Sequence, residues 1–236
     1  MLSKIKNNQI LFLDIETVPL CSDFKDLSPV MQKLWKKKAD YIIKSKDETP
    51  SSIYHKAGIY SEFGKIICIS VGFFTDNTFR LKSFYGDNEK KILTHFNLLL
   101  NKSYNTPDKY LCAHNGKEFD YPFIARRMLI NSIKLPEILN FAGKKPWEIK
   151  HLDTLELWKF GDFKHYTSLE LLTNIFNIPT PKDDIDGSMV ADIYYKEKNL
   201  KRISIYCEKD VVAVAQLFLR YKNQKLIKEE NIISVS

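Results

Sequence analysis

The sequence predicts an α/β fold: a three-layer domain with a mixed five-stranded sheet flanked by helices. Three observations carry this. Short apolar runs of strand length alternate with stretches of helical period. No Pro-, Gly- or Ser-rich linker separates them. One pair of runs is joined by a turn rather than a helix, which makes part of the sheet antiparallel. With 236 residues, 44% hydrophobic and 28% charged, the chain is long enough for one sizeable core, and a single domain over 1–236 is expected.

Ile10 to Leu13 is apolar and fits a buried strand, ended by acids and by Pro19, which should stop pairing. Residues 21–62 break the strand pattern. They are polar and basic, with one helical stretch around VMQKLWKKKADYIIK, and are expected to be a helical insertion too poor in apolar residues for a core of its own. Ile66 to Phe74 and Phe79 to Tyr85 flank the turn signal Asp76-Asn77 and predict a hairpin. A helix follows over 88–100, where Ile92, Leu93, Phe96 and Leu99 share one face. Tyr110 to Ala113 predicts a strand, 121–131 a helix with Pro122 in its first turn, and 150–155 a fifth strand. Thr167, with Glu170 three residues on, reads as a capping box opening a helix over 168–176. Helices near 188–196 and 200–222 complete the order, and the tail from about 223 is expected to be loosely ordered.

The net charge of +7 suits a polyanionic partner, although lysine runs such as Lys36-Lys37-Lys38 and Lys144-Lys145 are equally ordinary as solvated faces. Cys21, Cys68, Cys112 and Cys207 form no CxxC pair and read as reduced thiols, not as a disulfide frame or zinc site. No signal-peptide stretch and no run of transmembrane length is present, so a cytoplasmic location with no membrane partner is expected.

Three segments carry chemistry. Asp14 and Glu16, two residues apart after a strand, point to one face about 6.6 Å apart. They would repel each other there unless a divalent cation with oxygen ligands relieves them, or unless the strand end simply opens to water. Asp120 stands between Asn115-Gly116 and Tyr121-Pro122. A helix-capping role would explain it, yet a helix start after a strand is also where open α/β sheets bind ligands. Tyr206 and Asp210 are i and i+4 on one helix face, and an ion pair of Asp210 with Lys209 or Arg202 is the plain alternative.

Taken together, DIET at Asp14 to Thr17, NGxxFDYP at Asn115 to Pro122, and YxxxD at Tyr206 to Asp210 resemble the DEDD superfamily of 3′-5′ exonucleases. That superfamily has the ribonuclease H-like fold. The similarity is to the tyrosine branch and to the proofreading exonuclease domain of family B DNA polymerases, here free-standing. It covers the chain outside 21–62, and IDGSMVADIYY also looks like this family. The histidine of the sister branch would fall at Ile205.

The resemblance implies two divalent cations, Mg²⁺ or Mn²⁺. Asp14 would bridge both, Glu16 and Asp210 would complete one site, and Asp120 would hold the second, partly through water. The ions would lie about 3.5–4 Å apart and clamp an in-line displacement. Tyr206 would orient the attacking water. The place of Thr17 in the first motif implies that it approaches the terminal nucleotide, and Asn115 is a further candidate contact. Phe119, Tyr121 and Phe123 are candidates for stacking a terminal base, with core packing the alternative for Phe123. Asp153 is a candidate for support of the site. His114, His151 and His165 lack metal-ligand spacing and read as core or surface residues.

The expected activity is removal of nucleotides from the 3′ end of single-stranded DNA. The alternatives are a 3′-5′ exoribonuclease, and a non-catalytic nucleic-acid-binding or editing subunit that serves a polymerase or repair partner in trans.

Overall fold

The computed structural model describes residues 2–76, 78–162, 166–179 and 185–235; His165 and Asn77 lie outside them. The sheet is mixed, as expected, but has six strands, in the order β5-β4-β1-β2-β3-β6. β1 (Ile10–Pro19) is central. It pairs antiparallel with β2 (Gly64–Thr75) on one side and parallel with β4 (Tyr110–Ala113) on the other. β2 and β3 (Thr78–Tyr85) form the hairpin. The edges are β5 (Leu152–Asp153), parallel to β4, and β6 (Ile232–Ser234), parallel to β3.

Alternation along β1 sorts its side chains between two layers. Leu11, Leu13 and Ile15 enter a core with α2 (Glu89–Ser103) and α3 (Asp120–Ile130), through Leu93, Phe96, Ile124 and Met128. Ile10 and Phe12 face α7 (Leu200–Tyr221), packing with Val211, Val214 and Phe218. Phe12 is the hub of that side, with its ring centroid 5.6 Å from Phe218 and 5.9 Å from both Phe74 and Phe79. Aromatic pairs in this range add about 0.5–1.5 kcal/mol each to the burial itself.

Several expectations are corrected. Pro19 does not stop pairing: it is the last residue of β1 and lies opposite Gly64, where its missing N–H costs the ladder little. The strand expected at 150–155 is cut to two residues because the Asp153 side chain caps α4 (Thr154–Lys159), accepting from the amides of Leu155 and Glu156. The cap of α5 (Leu169–Ile175) is Ser168 rather than Thr167, so there is no capping box with Glu170. The stretch after Gly187 gives α6 (Val190–Asp192) and then a π turn over Ile193–Glu197. The tail is not loose throughout, since residues 232–234 form β6 and Ser234 bonds Glu208 of α7 at 3.2 Å.

Residues 20–63 hold more core than their composition suggested. Only 29–39 form an α-helix, α1 (Pro29–Ala39). Around it, fully buried Trp35 packs edge-on against Tyr54 and Phe63, at 5.6 and 5.2 Å, and donates its indole N–H to the Pro50 carbonyl. The small cluster includes Leu27, Ala39, Ile53 and Ala57. It returns to the sheet where two glycine backbones touch: a Cβ on Gly64 would lie 2.6 Å from the Gly58 carbonyl oxygen, closer than atoms can pack.

A buried ion pair ties this segment to the helices. The Arg127 guanidinium forks onto Glu89 at 2.8 and 2.5 Å and donates to the Ser61 carbonyl at 2.9 Å. Glu89 also accepts from the Ile66 amide and from Asn131. Removing one member of such a pair strands a charge in the interior. Arg127→Ala is therefore expected to cost about 3–5 kcal/mol of stability. Arg127→Lys, a charge without the fork, should fall between it and the native chain. Urea unfolding of the three proteins checks that order.

Candidate active site

The acids gather where β4 ends and β1 runs on. β4 pairs with β1 only as far as Phe12, so the residues beyond have no neighbour on that side from the parallel strand. Asp14 and Glu16 lie here with the parity of Ile10 and Phe12, on the α7 face of the sheet. They are opposite Ser70 and Cys68. Directly after Glu16 the register with β2 breaks, and Ile67 is left without a partner across the ladder. Glu16 is buried and Asp14 half-buried. Thr17 follows the break, half-buried.

α3 brings Asp120. The turn before it is shaped by Asp153, whose carboxylate accepts from the amides of Asn115 and Lys117 at 2.9 and 3.0 Å. The same carboxylate caps α4, so one buried side chain positions two helix starts. Asn115 takes a left-handed backbone, φ 60°, which Asn tolerates better than most residues. Gly116 is required by contact, since a Cβ there would lie 2.5 Å from the Ala113 Cβ and 2.9 Å from the Tyr121 ring. Tyr121 is wholly buried and donates to the Leu152 carbonyl at 2.7 Å, and Phe123 is buried in the core, so neither is available to stack a base. Phe119 remains half-buried, 5.4 Å from the Phe123 ring centroid.

α7 brings Tyr206 and Asp210, and the tyrosine hydroxyl is hydrogen-bonded to the Asp210 carboxylate. The side chain of Asn199 caps this helix by accepting from the Arg202 amide, and the Arg202 guanidinium pairs with Glu197 at 2.8 Å. The same helix supplies a group the motifs did not include. Cys207 is fully buried beneath Asp14, with its sulfur 3.4 Å from both the Asp14 carboxylate and the Asp14 carbonyl oxygen. Its position three residues before Asp210 puts both on one helix face, a spacing legible in the sequence.

The electrostatics follow from the crowding. Burial, and then the charges of Asp120, Glu16 and Asp210, hold the Asp14 carboxyl well above the usual range. Burial and Asp210 do the same to Glu16. Asp120 is pushed up to about 8, mainly by burial, with the amides of Asp120 itself and Ile15 partly opposing. Burial and the neighbouring acids also raise the Tyr206 hydroxyl, which keeps its proton at neutral pH. Tyr166 adds an aromatic rim: its ring is 63% exposed and edge-on to His114 at 6.1 Å. His114 bridges Thr154 and the Thr167 carbonyl at 2.9 Å each. His151 is structural, accepting from the Leu111 amide and donating to the Ile138 carbonyl.

Three groups of this set lie close enough together to hold a metal ion. Asp14, Glu16 and Cys207 offer donor atoms all within 4.8 Å of one another. The Asp120 Oδ1 atom is buried with no hydrogen-bond partner among the described residues. Carboxylates whose charges disfavour one another are stabilised by a cation with oxygen ligands.

A family described as predicted 3′-5′ exonucleases related to the exonuclease domain of PolB matches residues 59–231. The match spans Asp120, Tyr206 and Asp210, while Asp14 and Glu16 precede it. Among the described residues, no helix is long and apolar enough to cross a membrane.

With a chelator present, stability should fall as pH rises toward 8. Folded Asp120 keeps until about 8 a proton that the unfolded chain releases near 3.8, so the unfolded state binds fewer protons across that window. His151, held down to about 4 by burial, works with the opposite sign, but only below about 6.5. The interval from pH 6.5 to 8 therefore isolates the carboxylates. Thermal melts there should show a shallower slope for Asp120→Asn than for the native chain; equal slopes would contradict the placement of that charge.

Proposed function

We propose, for a chain that belongs to the family of predicted 3′-5′ exonucleases related to the PolB exonuclease domain, that it removes nucleotides from the 3′ end of single-stranded DNA with two divalent cations. The observation that carries this is the meeting of Asp14, Glu16, Asp120 and Asp210 in one electrostatic field, with one buried carboxylate oxygen unpartnered. Asp14, Glu16, Asp120 and Asp210 would hold the ions, Mg²⁺ or Mn²⁺. When bound, such ions polarise a water and the scissile phosphate and offset the charge that develops on it.

The chain's own groups do the rest. Tyr206, protonated and tethered to Asp210, is placed to position the attacking water by hydrogen bonding. The buried Cys207 sulfur lies 3.4 Å from the Asp14 carboxylate, and hard-cation chemistry gives it no role. Thr17 follows Glu16, Phe119 precedes Asp120 and Asn115 opens the same turn, and these three are the proposed contacts for the terminal nucleotide. A cleft of about 470 Å³ beside Pro19 carries the aromatic rings of Phe24, Tyr54 and Tyr195, with Lys25 and the Lys196–Asp192 pair at its edge and Asp23 among its lining, and we read its rings as a stacking surface for the substrate strand. Residues 21–62 build one wall of that cleft, and we read them as an insertion in a single exonuclease domain. Kinship with the PolB exonuclease domain favours DNA over RNA and admits a separate polymerase as partner.

A single gel tests the reading. Equal-sequence DNA and RNA oligonucleotides, labelled at the 5′ end, are offered with Mg²⁺ and with Mn²⁺. DNA should shorten in single-nucleotide steps, Asp14→Ala should match the buffer blank, and Tyr206→Phe should lose roughly 10²-fold in rate. Full activity of Asp14→Ala would refute the metal assignment, and preferential shortening of RNA would move the substrate to the other sugar. Replacing 22–62 by a short turn should alter the preference for long over short strands while leaving Mn²⁺ binding in place, measured by calorimetry.

A further inference from the structure

We propose that Cys207 gives this carboxylate site a second, thiophilic binding mode, in which one zinc-class cation is held by Asp14, Glu16 and the Cys207 sulfur. The inference rests on the reading that these carboxylates bind metal, and goes beyond it in naming a soft donor that the hard-cation chemistry does not use. The two carboxylate oxygens and the sulfur lie within 4.8 Å of one another. Zinc takes oxygen at about 2.0–2.2 Å and sulfur at about 2.3 Å, so two donors on one tetrahedral ion lie roughly 3.4–3.7 Å apart. The sulfur and the Asp14 carboxylate already meet that spacing at 3.4 Å, and the Glu16 oxygen needs to close by no more than about an ångström, within reach of a side-chain rotation.

The sulfur is not a remote bystander. It sits 3.4 Å from the Asp14 carboxylate, on the floor of the site, with no exposed surface. Asp14 is half-buried, so an entering ion meets the carboxylates before the thiol. Asp120 is the second pointer to a ligand. It is 2% exposed, its Oδ1 has no hydrogen-bond partner among the described residues, and its charge acts on Asp14. Mg²⁺ and Mn²⁺ prefer oxygen and would leave the thiol protonated against Asp14, whereas Zn²⁺, Cd²⁺ and Co²⁺ take sulfur as well. Ligation forms one metal–sulfur bond and releases the thiol proton to solvent, with no change of oxidation state. A thiophilic ion held this way would occupy the carboxylates in competition with the working cations.

The test uses the full chain and reads absorption as well as cleavage. Titration with Co²⁺, and separately with Cd²⁺, should produce a thiolate-to-metal charge-transfer band in the near ultraviolet that saturates at one equivalent. Cys207→Ser should abolish the band and lose at least about tenfold in Co²⁺ affinity. Its Mn²⁺ binding and melting temperature should persist. Cys68→Ser, altering the thiol opposite Glu16, should keep the band. Co²⁺ bound without a thiolate band, or a band surviving in Cys207→Ser, would overturn the proposal while Mn²⁺ binding leaves the proposed function standing. Binding of neither ion would overturn both.

Discussion

Carboxylates that repel one another must be held together by everything except their own interaction, and much of this fold is that holding apparatus. Asp14 and Glu16 are fixed by the central strand, which stays paired with β2 along their length and is packed on both faces. Asp210 rides on a 22-residue helix whose apolar face is buried against the same sheet. Asp120 cannot drift because the turn before it is tied down by another carboxylate, Asp153. Each tether lies outside the cluster. The cost of crowding these acids is therefore met by the fold around them, and a cation bound as proposed would relieve it.

The same arrangement divides labour among buried acids. Asp14, Glu16 and Asp120 are pushed toward their protonated forms by burial and by like charge. Asp153 and Glu89 are buried as deeply but are met by backbone amides or a guanidinium. Burial alone thus does not mark a functional acid here. What separates the two kinds is whether the surrounding protein already satisfies the oxygens.

Much of the architecture was legible because it rests on local pattern. The strands at 66–74 and 110–113 and the helices at 88–100 and 200–222 follow from periodicities that their own residues display. What was hidden depends on distant partners. HLDTLELW suits a strand or a helix, and only the amides that Asp153 captures decide where one becomes the other. Thr167 and Ser168 are adjacent hydroxyls with equal claim to a cap, and His114, far away in sequence, engages the Thr167 carbonyl. The final strand has too few residues to announce itself and exists because β3 offers it an edge. At the candidate site, the acids could be named from residue type and spacing. The supporting part of Asp153 and the place of Cys207 beneath Asp14 required knowing which elements come into contact.

Pro19 and Gly64 stand opposite each other on neighbouring strands. To the sheet, everything between them is therefore a turn, whatever its length. Closing a longer loop costs only slowly more entropy, about 0.6 kcal/mol for each doubling. The chain can thus carry an aromatic knot with its own packing directly after the strand that bears Asp14 and Glu16 without moving a rung of the ladder. A segment whose length and packing can vary is mechanically separate from the strand on which the acids stay fixed, and the contact of Gly58 with Gly64 is the seam between them.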